Sequence, residues 1–228
     1  MERRFLPQAS AEVRVSGEDG AKKITGYASV FYDGTPATEY VLWDDKFGRA
    51  VERIMPGTFD GALKRADDVR GLKNHEPSLI LGRTKAKTLR LAVDDRGLSY
   101  EIDPPETTAG RDTVAELTRG DLDGSSFAFK VANGGQKWTL TTDKDGRDND
   151  IREITDVEPL YDVGPVTYPA YDGTTAGYRD GGDAAEARAS RDAWRESEAG
   201  RFVSTPRADA GRLEISKKEL DMQAAGLL

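Results

Sequence analysis

A serine, a histidine and a carboxylate on three separate stretches are the residues of this chain that can do chemistry together. The serine is Ser126, in Gly124-Ser125-Ser126-Phe127-Ala128-Phe129. The histidine is His75, in Asn74-His75-Glu76-Pro77, and it is the only one among the 228 residues. A serine hydroxyl is too weak an acid to attack unaided at neutral pH. An imidazole at hydrogen-bond distance takes its proton and later passes it to the leaving group. A carboxylate on the second ring nitrogen holds the tautomer and stabilises the imidazolium. Asp162, Glu158, Asp156 and Glu153 lie on the stretch that follows and are all candidates. A single serine on a strand is usually a plain surface residue, and a lone histidine is usually structural. The combination is what carries interest.

Other chemistries are narrowed by composition. The chain has no cysteine, so disulfides, thiolate metal sites and a cysteine nucleophile are excluded. One histidine cannot build an imidazole-rich zinc or iron centre. Asp143 to Asp150 has the look of a calcium loop, but glycine stands fourth, not sixth, and Ile154 takes the place of the closing glutamate. A solvated hairpin turn is the better reading. No phosphate loop or dinucleotide fingerprint is present, so no cofactor is expected. A net charge of −8 argues against broad phosphate binding. Lys85, Lys87 and Arg90 lack an aromatic platform, which leaves nucleic-acid binding unsupported. No apolar run has secretory or membrane-spanning length, and a soluble cytoplasmic protein is expected.

The elements that must position the three residues are mostly strands. Alternating apolar residues predict strands at Val13–Val15, Lys22–Tyr32, Tyr40–Trp43, Val51–Ile54 and Val69–Leu72, with a short apolar run at Leu79–Leu81. Leu89, Leu91 and Val93, then Leu98, Tyr100 and Ile102, flank Asp94-Asp95-Arg96-Gly97 and predict a hairpin. A strand follows at Gln136–Leu140, and a long one from Ile151 to Val163. Two helices are predicted: residues 58–66 with Thr58 as N-cap, and Thr108–Arg119 closed by Gly120. Successive side chains of a strand point opposite ways. Ser125, Phe127, Phe129 and Val131 therefore share one face, the core face, and Ser126 shares the other with Ala128 and Lys130. Pro165–Tyr171 closes the domain, read as residues 1–178.

From about residue 179 the composition changes. Between Arg179 and Arg212 there is no leucine, isoleucine or methionine. Such a stretch buries too little apolar surface to offset its ordering entropy. Residues 179–228 are read as a polar tail outside the core, with helical character over 183–199 and a short helix opened by Ser216 and Glu219.

The chain resembles the tailed-bacteriophage prohead proteases, capsid-maturation serine peptidases related in fold to the herpesvirus assemblins. The resemblance is carried, in order, by Gly26–Phe31, Glu52–Phe59, Leu72–Glu76, Leu81–Thr84, Thr88–Leu91, Asp95–Leu98, Arg119–Phe129 and Leu160–Tyr171. It implies Ser126 as nucleophile, His75 as base and Asp162 as the acidic member. The family often has glutamate at the last position, and serine where this chain has Gly164. The fold implied is mainly β with helices (α+β): a small antiparallel assemblin-like β-barrel surrounded by helices. The activity implied is that of a serine endopeptidase inside the immature capsid, in the host cytoplasm. Its implied partners are the major capsid protein with its scaffolding segment, and itself through autocleavage. The assemblins suggest a homodimer; nucleic acid and membrane are not implied. Oxyanion donors are expected among backbone N–H groups, with Arg119 as a further candidate. The competing expectation is a non-catalytic capsid assembly or scaffolding protein that keeps the fold. An esterase with a nucleophile elbow is disfavoured, because the stretch around Ser126 lacks that motif's second glycine.

Overall fold

The computed structural model describes residues 1–167, apart from 7, 19–21 and 47, and residues 182–197. In chain order the first elements are β1 (Glu2–Leu6), α1 (Gln8–Ala11), β2 (Arg14–Ser16), β3 (Lys23–Val30), β4 (Tyr40–Asp45), β5 (Gly48–Ile54) and α2 (Asp60–Arg65). Next come β6 (Arg70–Leu72), β7 (Ile80–Arg83), β8 (Leu89–Val93), β9 (Gly97–Ile102) and α3 (Thr108–Arg119). The rest are β10 (Gly124–Val131), β11 (Gln136–Thr139), β12 (Asp148–Ile154), β13 (Val157–Val166) and α4 (Gly182–Glu196). No described helix is long and apolar enough to cross a membrane.

The molecule is mainly β with few helices, as expected, but the described strands do not close into one barrel. They form three open sheets, ordered β1-β10-β13-β6-β7, β11-β12-β5-β4 and β2-β3-β9-β8. Two pairings, β12 with β5 and β13 with β6, are parallel. Those pairings join strands far apart in the chain and leave no trace in local alternation. The expected strand over 151–163 is also two strands. Thr155 and Asp156 break it, and β12 and β13 enter different sheets.

The sheets meet over one main core. Phe127 and Phe129 stack at 4.9 Å, and Phe59 sets its edge on Phe127 at 5.5 Å. Ile24, Ile54, Leu98, Ile102, Ile154 and Val163 complete this layer, fully buried. Each such side chain contributes about 1.5–3 kcal/mol through burial. Thr58 is not the cap of α2: Phe59 takes that place, and the Thr58 hydroxyl donates to the carbonyl of Met55 or of Ile154, both within reach. In α3 the prediction holds at both ends. Thr107 accepts from Gly110 N, and Gly120 ends the helix at φ 79°.

Two features were not anticipated. The first is β1, whose Glu2 and Arg4 form a buried ionic cluster with Glu52 and Arg152. Arg4 Nε lies 2.6 Å from Glu52 Oε1, and Arg4 Nη2 lies 2.6 Å from Glu2 Oε2. Arg152 Nη1 lies 2.5 Å from Glu2 and 2.9 Å from Glu52. Burial alone would raise the Glu2 carboxyl, but bonds and charge from Arg152 and Arg4 outweigh it and hold it at about 2. The second is α4, which was expected outside the core. Ala187 is fully buried beside Trp43, Trp138, Ala50 and Leu140. Arg191 Nε pairs with Asp150 at 2.7 Å, Arg188 with Asp45 at 2.8 Å, and Trp138 Nε1 donates to Ser190 Oγ at 3.2 Å. The helix docks through the small Ala187, the partly buried Trp194 and paired charges. The packed body thus runs past residue 178. The helix expected at Ser216 and the closing Tyr168–Tyr171 lie outside the described residues.

Candidate active site

Ser126 stands in the middle of β10, between β1 on one side and β13 on the other. Ser125 turns toward the core, where its hydroxyl donates to Tyr100 Oη at 3.2 Å or the Gly164 carbonyl at 3.3 Å. Ser126 takes the opposite face, as alternation predicts. That face is not solvent-exposed: Ser126 has 0% of its surface accessible, His75 8% and Asp162 6%.

His75 arrives from the end of β6 through an unusual turn. Asn74 and His75 both have left-handed backbones, with φ of 55° and 58°. Histidine and asparagine tolerate this region better than most residues, though it remains uncommon. Flanking bonds hold the turn. Asn74 N donates to the Pro165 carbonyl at 3.0 Å, and Thr167 N donates to Asn74 Oδ1 at 2.8 Å. Asn74 Nδ2 closes the pair to Thr167 Oγ1 at 3.0 Å. Lys73 is tied to Glu116 of α3 at 2.5 Å. The imidazole is thereby swung over β10.

Asp162 comes from β13, whose register sets Ala128 opposite Asp162 and Ser126 opposite Gly164. The three groups meet in one line. Ser126 Oγ is 2.6 Å from His75 Nε2, and His75 Nδ1 is 2.5 Å from Asp162 Oδ1. Of the other carboxylates considered, Glu158 is exposed and faces Arg65 at 3.8 Å. Arg119 is 76% exposed and pairs with Asp121 at 3.0 Å. The expected turn over Asp143–Asp150 is confined to its first residues, with the Asp143 side chain accepting from the backbone N–H groups of Asp145 and Arg147 at 2.9 Å, and Asp148–Asp150 already belong to β12.

Gly164 is the residue this geometry requires on β13. It has φ 155°, and a Cβ there would lie 2.1 Å from the Leu72 carbonyl oxygen. The close approach brings β13 against β6, whose end leads into the turn that carries His75. Gly164→Ala is expected to destabilise the fold by about 1–3 kcal/mol through overpacking. A denaturant midpoint equal to wild type would contradict that contact.

Sequence reasoning missed the fourth participant. The Ser126 hydroxyl also lies 2.8 Å from the Arg4 carbonyl oxygen of β1, and Phe5 packs edge-on against the His75 ring at 5.6 Å. The first residues are mostly charged and carry no strand-like alternation, so no local signal marks them.

A serine hydroxyl, an imidazole and a carboxylate in hydrogen-bonded sequence form an arrangement that can support acyl transfer. Among protein families, residues 9–186 match the model of the caudovirus prohead serine proteases. No curated protein and no solved structure matches the chain. The family match runs from α1 into α4 and takes in every strand from β2 to β13, and by that extent the chain belongs to the caudovirus prohead serine protease family.

Proposed function

We propose that this chain is the serine endopeptidase of a caudovirus prohead, with Ser126 as nucleophile, His75 as general base and then acid, and Asp162 as the group that orients the imidazole. The observation that carries the reading is the unbroken hydrogen-bonded line from Ser126 through the chain's one histidine to Asp162. In the acylation step His75 Nε2 takes the hydroxyl proton as Oγ bonds to the scissile carbonyl carbon. The tetrahedral intermediate collapses as the same proton passes to the leaving amine. Water, deprotonated by His75, then releases the acyl group. Asp162 keeps Nδ1 protonated and Nε2 free to accept.

The substrates proposed are scaffolding segments of the major capsid protein, inside the immature capsid, and the chain itself. For self-cleavage the candidate lies in the tail read from residue 179 onward, beyond the docked α4: residues 198–212 continue the stretch poor in large apolar residues. Co-expression with the major capsid protein tests the reading. Wild type should shorten the capsid protein, and Ser126→Ala should leave it full length. Processing that persists with Ser126→Ala would end the proposal.

Asp162→Asn separates the orienting carboxylate from its neighbours. The amide preserves shape but favours the wrong imidazole tautomer, and kcat should fall about 10⁴-fold. Glu158→Gln, on an exposed side chain, should leave kcat unchanged. The reverse pattern would reassign the third member.

A further inference from the structure

Three observations converge on β1. First, it lies antiparallel along β10 with Phe5 directly opposite Ser126 and Leu6 opposite Ser125. Second, the Arg4 carbonyl sits 2.8 Å from Ser126 Oγ, while His75 Nε2 sits 2.6 Å from the same atom. A hydroxyl has one proton to donate. When it goes to the Arg4 carbonyl, it is not shared with the base. Third, the family match begins at residue 9, after β1 has ended. Matched residues make the site, and the segment before them covers it.

The ionic cluster makes this cover separable. β1 supplies Glu2 and Arg4, paired with each other at 2.6 Å. The body keeps Glu52 and Arg152, paired at 2.9 Å. Each half is neutral, so departure of β1 strands no unpaired charge, the costly outcome for buried ions. It also leaves β10 as a sheet edge, with main-chain groups that an extended peptide can satisfy by strand addition.

We infer that β1 is a resting occupant of the substrate's place: the β10 edge beside Ser126 takes an extended peptide in antiparallel register, and residues 2–6 hold it until such a peptide displaces them. The inference rests on the protease reading above. The side chains of β1 describe what the edge accepts. Alternate residues turn inward, a charge-neutral acid–base pair toward Glu52 and Arg152 and an apolar residue among Ala11 and Val30. The residue opposite Ser126 is large and apolar, against the His75 ring.

The test compares the full chain with a variant lacking residues 2–6, using a fluorophosphonate reagent and intact mass to follow labelling of Ser126. Freeing the edge should raise the labelling rate at least about tenfold, because reactivity scales with the fraction of competent molecules. The peptide acetyl-Glu-Arg-Arg-Phe-Leu-amide, added to the shortened protein, should slow labelling again in proportion to its occupancy. Equal rates in both proteins, or no slowing by the peptide, overturn the inference and leave the protease reading standing. No labelling of Ser126 in either folded protein overturns that reading and the inference with it. If the deletion fails to fold, Arg4→Met serves: it keeps the strand, weakens its anchor, and should accelerate labelling several-fold. A rate equal to wild type sinks the inference.

Discussion

Ser126→Ala is expected to lower kcat for peptide hydrolysis by about 10⁴–10⁶-fold, and His75→Ala by a similar factor. The double variant should be no worse than either single one. On the proposed reading the two act as a unit: without Oγ the imidazole would have no proton to take, and without the imidazole the hydroxyl would stay a weak nucleophile. Single-turnover hydrolysis of a capsid-derived peptide by the three variants measures this. If the double variant loses the product of the two single factors, the groups act independently, and the 2.6 Å contact between them has no part in the reaction. Both variants should fold, so thermal unfolding near that of wild type is part of the expected result.

The second large effect concerns stability. Glu52 is fully buried and accepts from Arg4 and Arg152 at once. Glu52→Ala leaves two buried guanidiniums facing Glu2 alone, and should cost about 3–5 kcal/mol. Chemical denaturation gives the figure directly. The partition of the cluster into two neutral pairs adds a sharper test. Glu52→Leu combined with Arg152→Leu removes one neutral half, and should cost less than the sum of the two single changes. Simple additivity would mean that the four charges do not form one cluster.

The chemistry of the site was more legible than its surroundings. His75 could be named because no other imidazole exists, and Ser126 was separated from Ser125 by strand alternation alone. Both inferences use local rules that tertiary structure does not overturn. Asp162 could not be separated from Glu158, Asp156 and Glu153 by position; only the family pattern preferred it. The register of β13 on β10 is what brings it to His75. The burial of Ser126 was invisible for a related reason. It depends on β1, whose Phe5 lies opposite Ser126 and whose Arg4 carbonyl meets its hydroxyl, and β1 is anchored by Glu2 and Arg4 on the remote Glu52 and Arg152. The docking of α4 was hidden likewise, because Arg188 and Arg191 find acids on β4 and β12. Hydrophobic pattern reports where apolar surface goes. It does not report which charges will be neutralised by partners remote in the chain.

The sheet order also has a bearing on time. β10 lies between a strand from the very start of the chain and one that ends at Val166, and the strand bearing His75 is reached only across β13. Pairings over such sequence separations form late, because loop closure precedes any gain from contact. On the ribosome β13 emerges after both Ser126 and His75. Until it inserts, the histidine has neither its carboxylate nor the backbone that supports its turn. A nascent or half-folded chain thus holds a serine and an imidazole that have not yet met. On the proposed reading, the hydrogen-bonded line from Ser126 to Asp162 is complete only when the sheet is, so any competence to cut is expected to arrive with that last pairing.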